Sequence, residues 1–338
     1  MTPRATPVDQ LSRRWCIVVA DDYRSDETPT CDGARGRVPV HLRTLEPGFT
    51  LLQRALLRAL EIAPQDQVLL TADEYLRDYW EACCWHVRPA VRFIGADRTC
   101  ARGTLVAAVL YVAQRSPSNV VTILPARAHV ENEWILRRAL IRAADRVTRT
   151  PEGVATLGML DAEDSPDEDY FTVRLASDDI GFLIEGFARR PIPWVARALR
   201  RQAALVASGI LFGNAGRLAA HLERQFPALT AMVRPPLQRQ TVEYHVPQSP
   251  PSSVLSGVFS RITWHPRALP QRLFVVCRSG WSGLKSPQAD ARVTACIANA
   301  SRLADGGPGV NGQPVTQRGG APSGAVRVRA HPVLWNGQ

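Results

Sequence analysis

The chain has 338 residues, 45% hydrophobic and 21% charged, enough to bury a large core in one α/β domain or two smaller ones. No stretch reaches the roughly 18 uninterrupted apolar residues of a membrane span, and the polar-then-basic segment ahead of Trp15 lacks the apolar part of a signal peptide, so the cytoplasm is the expected compartment. The net charge of +10 is almost wholly arginine, with Lys285 the single lysine; the arginines are scattered along helices and not interleaved with aromatics, as a nucleic-acid motif would require. The seven cysteines are odd in number and form no CxxC pair, which predicts buried thiols, not a disulfide scaffold.

Residues 1–14 read as a loose tail. Residues 16–20 (CIVVA) are a short β-branched run, a buried strand by length and composition. A polar loop over 21–37 follows. A helix is predicted over 49–62, with Leu51, Leu52, Ala55, Leu56, Ala59 and Leu60 on one face and arginines on the other. Strands at 68–71, 91–94, 120–124 and 154–159 alternate with helices at 74–87, 105–115 and 133–147. Such alternation implies a parallel, doubly wound sheet with helices on both faces, whose ligands sit beyond the strand C-termini. The loops after Ala20, Thr71 and Leu124 then surround any site.

Residues 161–169 (DAEDSPDED) carry six acids without calcium-loop spacing and read as a solvated turn. An antiparallel extension is predicted at 171–173 and 181–184, helices at 193–202 and 217–226, a Pro/Ser linker at 247–253 and a last strand at 273–277. Residues 291–338 are predicted to be a disordered tail, Gly/Pro/Arg-rich and aperiodic from about Gly306. Asp73 and Glu74 fit a helix N-terminus, and residues 280–283 (GWSG) miss nucleophile-elbow spacing by one residue.

Several segments occur in a recognisable order: TLLQR at 50–54, RGT at 102–104, LPARAH at 124–129, DYF at 169–171, FARRP at 187–191, LVASGIL at 205–211 and GWSGLKSP at 280–287. In this order they resemble the sugar-1-phosphate nucleotidylyltransferases, most nearly the mannose-1-phosphate guanylyltransferases, over residues 15–290. The resemblance implies a Rossmann-like nucleotide-diphospho-sugar transferase fold. It also implies transfer of GMP from GTP to mannose 1-phosphate with Mg²⁺, giving GDP-mannose and pyrophosphate. It places nucleotide and phosphate contacts at Ala20, Asp21, Asp22, Arg24, His41, Arg102, Gly103 and Thr104. Arg190 and Ser208 fall on the sugar side, with Arg190 as the catalytic cation.

The sequence departs from that pattern where the chemistry is concentrated. Asp21 and Asp22 stand where the family has the glycines of its phosphate loop, which let backbone N–H groups approach a triphosphate. Two carboxylates there repel phosphate or hold Mg²⁺ themselves. Val40 replaces a phosphate-binding lysine, leaving His41 or Arg43 to reach in. Arg127 or Ala128 and Gly283 replace the two metal aspartates, His129 is kept, and Ala207 replaces an asparagine. Three readings stay open: the enzyme, a non-catalytic relative that binds nucleotide or sugar phosphate, and a basic nucleic-acid binder.

Overall fold

The computed structural model describes residues 11–20, 39–42, 44–46, 48–85, 87–96, 101–150, 153–160, 168–175, 181–234, 242–246, 271–277 and 279–283. Asp21, Asp22, Arg24, Arg43, the linker and the C-terminal tail lie outside them. Along β1 (Arg14–Val19), Cys16 and Val18 enter one core and Ile17 the other, all fully buried. A strand apolar on both faces belongs in the middle of a sheet covered on both sides. The first strand also takes a residue from the expected tail: Arg14 is 4% exposed and pairs with Asp145.

Parallel to β1 lie β4 (Val68–Asp73) on one side and β6 (Val120–Pro125) on the other, and β5 (Val91–Gly95) and β11 (Glu243–Val246) extend the parallel set beyond β4. β2 (Thr44–Glu46) and β3 (Phe49–Thr50) form a separate small hairpin. Helices cover both faces. α1 (Leu51–Leu60), α2 (Arg77–Cys83) and α4 (Glu133–Arg149) pack with Cys16, Val18 and Leu124. α3 (Ala101–Arg115), α6 (Ala215–Gln225) and α7 (Pro227–Val233) pack with Ile17, Leu69 and Ile123. α1 starts where Thr50 makes a capping box: its hydroxyl accepts the Gln53 N–H (3.2 Å) and its own N–H donates to Gln53 Oε1 (2.8 Å).

The expectation of a mostly parallel sheet holds only for this half. Beyond β6 the sheet is mixed: β10 (Leu205–Asn214) is antiparallel to both β6 and β7 (Val154–Met159), β7 pairs in parallel with β12 (Gln271–Val276), and β9 (Phe182–Ala188) and β8 (Tyr170–Leu175) follow antiparallel. β8 pairs back onto β10, closing these five strands into a ring. The physical reason is a bulge in β10. Its last residues pair with β6, while Leu205 and Val206 pair with β8, and the register shifts between Ala207 and Leu211. Gly209 supplies the φ of +75° that this needs. The Ser208 hydroxyl donates to the Leu157 carbonyl (2.7 Å) and accepts the Ile210 N–H (3.0 Å), satisfying the displaced backbone.

Other differences are local. The helix expected over 74–87 is a 3-10 turn (Glu74–Leu76) followed by α2. Asp73 accepts the Tyr75 N–H at 2.8 Å, which makes it the cap its position suggests. α7 opens on Pro227 at its first turn, a start signal that sequence reading passed over. The thiols of Cys16, Cys83 and Cys84 are buried as expected and that of Cys277 is exposed; burial holds the three buried thiols well above the ordinary range, Cys84 at about 12. Among the described residues no helix is long and apolar enough to cross a membrane.

Candidate functional site at the strand ends

The connections reverse at β1: the chain leaves it for β4 and β5 on one side and returns to β6 on the other. Open α/β sheets bind ligands beyond the strand C-termini at such a reversal. Ala20 and Ala126 follow the ends of β1 and β6 there. The Ala20 N–H donates to the Thr71 carbonyl (3.0 Å) and the Ala126 N–H to the Val19 carbonyl (2.9 Å), so the strands stay paired to their last residues.

The loop after β6, residues 126–130, is buried throughout. It is held by residues 279–283, which return to it after β12. His129 N–H donates to the Ser282 carbonyl (2.9 Å), Ser282 N–H to the His129 carbonyl (3.0 Å), and the N–H groups of Glu131 and Asn132 both to the Ser279 carbonyl (3.0 Å each). Two carboxylates close over the glycines of that turn. Glu131 lies 2.5 Å from where a Cβ on Gly280 would stand, and Glu168 Oε1 lies 2.8 Å from the same point on Gly283. Gly280 also has φ +60°.

The third side comes from the ring. The Asp169 carbonyl accepts the Ala207 N–H (2.8 Å), and its Oδ1 accepts the Arg190 N–H (3.1 Å). Arg190 is exposed and has φ +41°. From behind, Arg58 of α1 pins the β6 loop. Its guanidinium donates to the Ala128 carbonyl (3.0 Å) and grips both oxygens of Glu133 at 2.8 and 2.6 Å, bridging the loop to the first residue of α4.

His129 sits inside this frame, 5% exposed. Burial, and then the neighbouring Arg54 and Arg58 guanidiniums, push its pKa down to about 4 against the opposing pull of Glu133. The imidazole is therefore neutral at physiological pH. The sign of the linkage follows: the unfolded chain takes up this proton near pH 6.5 and the native chain only near 4. Stability is complete above 6.5 and is lost as pH falls toward 4, by roughly 3 kcal/mol for this group. Denaturant melts at pH 7 and 4.5 are expected to show this loss, and His129→Gln to remove most of it; an unchanged slope in the variant would assign the acid sensitivity elsewhere.

The structure thus gathers Ala20, Ser208 and the backbone of Arg190 around one end of the sheet, and separates others. His41 belongs to a one-turn helix (Val40–Leu42) and is fully buried against α1 and α2, so it does not present its ring at the surface. Gly103 and Thr104 lie within the first turn of α3, not ahead of a helix, and Thr104 is fully buried. The side chain of Arg102, like Asp21, Asp22 and Arg24, falls outside the described residues. Arg127 is 6% exposed, a cation held at the end of β6.

Sequence reading missed Arg58, Glu131 and Glu168. Arg58 was assigned with its helix's other arginines to the polar face, yet it is 7% exposed. Glu168 was assigned to a solvated turn, yet it is 6% exposed, because Gly283 leaves the space its carboxylate fills. Among the described residues no three His, Cys, Asp or Glu side chains gather as a metal site, and positions 127, 128 and 283 offer arginine, alanine and glycine.

No family profile matches the sequence, and no curated protein matches it in sequence. Solved structures do match in fold. A mannose-1-phosphate geranyltransferase from Thermus thermophilus superposes with a TM-score of 0.58 at 16% identity, over 83% of this chain and 79% of its own. A mannose-6-phosphate isomerase from Helicobacter pylori gives 0.60 at 10% identity, over 80% and 99%. A glucose-1-phosphate thymidylyltransferase from Bacillus anthracis gives 0.55 at 10% identity, over 84% and 95%. Likeness at this identity establishes a shared α/β fold with a mixed sheet; function is a property of the site built on it.

Proposed function

We propose that the protein is a nucleotidyltransferase of sugar phosphates, with GTP and mannose 1-phosphate as its substrates. The observation that supports this reading is the reversal of connections at β1, with the locked segments 126–131 and 279–283 and the β10 bulge beside the strand ends. In the reaction an oxygen of the sugar phosphate attacks the α-phosphorus of the triphosphate. One P–O bond forms, the bond to the β-phosphate breaks, and pyrophosphate leaves with the electron pair. The work of the protein is to hold both reactants in line and offset the negative charge. Ala20 and Ala126 form the nucleotide floor, and Arg190, exposed beside Asp169, is the cation for the sugar phosphate. Mg²⁺ belongs to this reading as a requirement to be tested, with Asp21 and Asp22 as its ligands. The described residues do not compose a magnesium site.

A second reading, binding without turnover, is favoured by two observations. The Ser208 hydroxyl is spent on the backbone of its own bulge, and the described strand ends carry no carboxylate at positions 127, 128 or 283. Pyrophosphate release from GTP, mannose 1-phosphate and Mg²⁺ decides between them. Turnover that needs both substrates and falls at least tenfold in Arg190→Ala is the expected result. GTP binding by calorimetry without turnover in the folded protein would leave the binding module; absence of both would sink the two readings together.

A further inference from the structure

α5 (Pro193–Arg201) is covered on one side only. Ala196 is 2% exposed and Leu199 packs against the core, which fixes the inner face of the helix. Trp194, Arg197 and Arg201 follow one another at steps of three and four residues on the opposite face, and all three are exposed. Trp194 is 64% exposed, and Ile192, just ahead of the first turn, is 55% exposed. Pro193 fixes the start of the helix, so these two apolar side chains stand at the same end of it.

The charge on this segment is one-sided. From residue 186 to residue 222 the chain has no aspartate or glutamate. Glu185, the last acid before it, is taken up by Arg174 at 3.2 Å. Among the described residues neither Arg197 nor Arg201 makes an ion pair, whereas Arg189 and Arg200 in the same run have contacts of their own. Two guanidiniums one turn apart, with an exposed tryptophan and isoleucine beside them, match a partner that is anionic and apolar together. An anionic bilayer is such a partner: its headgroups lie directly above acyl chains, guanidiniums bind phosphate through paired donors, and tryptophan settles at the boundary. Nucleic acid would meet the arginines and stack on the indole, but it offers nothing to Ile192. Docking on a membrane surface requires no helix that crosses it.

We propose that the outer face of α5 docks the protein on an anionic lipid surface, with Arg197 and Arg201 on the headgroups and Ile192 and Trp194 in the boundary beneath them. The test is co-sedimentation of the full chain with phosphatidylcholine vesicles, with and without phosphatidylserine. Binding is expected with phosphatidylserine and roughly tenfold weaker without it, and high salt should weaken it. Arg197→Gln/Arg201→Gln should weaken it by at least roughly tenfold, and Ile192→Ser/Trp194→Ser by about tenfold. Arg88→Gln/Arg224→Gln removes the same charge at exposed positions elsewhere and should lower binding by less than about twofold. All the substituted positions are exposed, and circular dichroism confirms that each variant is folded. No binding, equal binding to the two kinds of vesicle, equal loss in the two arginine pairs, or no loss in the Ile192/Trp194 variant would each overturn the proposal. Single-stranded RNA held more tightly than the vesicles, and released in the Trp194 variant, would overturn it in favour of nucleic acid.

Discussion

Replacing Trp80 by alanine is expected to lower the unfolding free energy by about 4 kcal/mol. Trp80 is 1% exposed and among the largest fully buried side chains. It joins α2 to the core beneath Leu76, Ile94 and Cys83. Its indole N–H donates to the Asp73 carbonyl at 2.9 Å, tying the helix to the last residue of β4. The guanidiniums of Arg77 and Arg92 lie 5.2 and 5.9 Å from the ring centroid. Those arginines are held in turn by Glu243 of the edge strand β11, at 3.2 Å from each. Alanine removes the packing and leaves a cavity, and it also strands a buried carbonyl. Trp80→Phe separates the terms, because it keeps most of the volume and deletes the donor, and about 1–2 kcal/mol is expected for it. Urea denaturation followed by far-ultraviolet circular dichroism measures both. A loss below 1 kcal/mol in the alanine variant would show that this edge of the sheet is not packed as described.

Arg58→Leu should cost about 3 kcal/mol, and its effect should reach the strand ends. The substitution removes three charge-assisted hydrogen bonds at once, two to Glu133 and one to the Ala128 carbonyl. Glu133 keeps contact with water at 39% side-chain exposure, which limits the penalty on the stranded carboxylate. The buried Ala128 carbonyl has no such relief. Arg58→Lys retains the charge but cannot form the fork, so it should recover less than half of the loss. The double variant Arg58→Leu/Glu133→Leu should recover only a small part of the loss, since Glu133 keeps its water and the Ala128 carbonyl stays without its donor. Large recovery in the double variant would mean that the carboxylate left without Arg58 carries most of the cost. Because Arg58 also depresses the His129 pKa, the single variant should bring it back toward 6.5 and shrink the acid loss of stability that His129 causes.

These two residues show different degrees of legibility. Trp80 lies in an aromatic segment that sequence reading assigned to a helix, but which of its aromatics is buried was not legible, since Trp85 beside buried Cys84 is 69% exposed. Arg58 was legible only as one arginine among many on an amphipathic helix. Its burial depends on Glu133 and Ala128, 75 and 70 residues away, which sequence spacing does not connect. Glu168 is a similar case. Its acidic neighbours read as a solvated turn, and only the missing side chain at Gly283 makes room for its carboxylate.

The sequence alone determined the elements whose signal is local. β-branched runs made β1, β4, β6 and β7 recognisable, apolar periodicity did the same for α1 and α4, and their alternation implied helices on both faces of a sheet. Tertiary structure alone decided the rest. Whether β10 runs antiparallel between β6 and β7, and whether β8 returns to close a ring, depends on pairings between distant segments. It also depends on one bulge whose glycine and serine carry no distinctive local pattern. Those pairings leave the ends of β1 and β6 side by side, with Arg58, Asp169 and the 279–283 turn fastened beside them by hydrogen bonds that only the folded chain brings within reach.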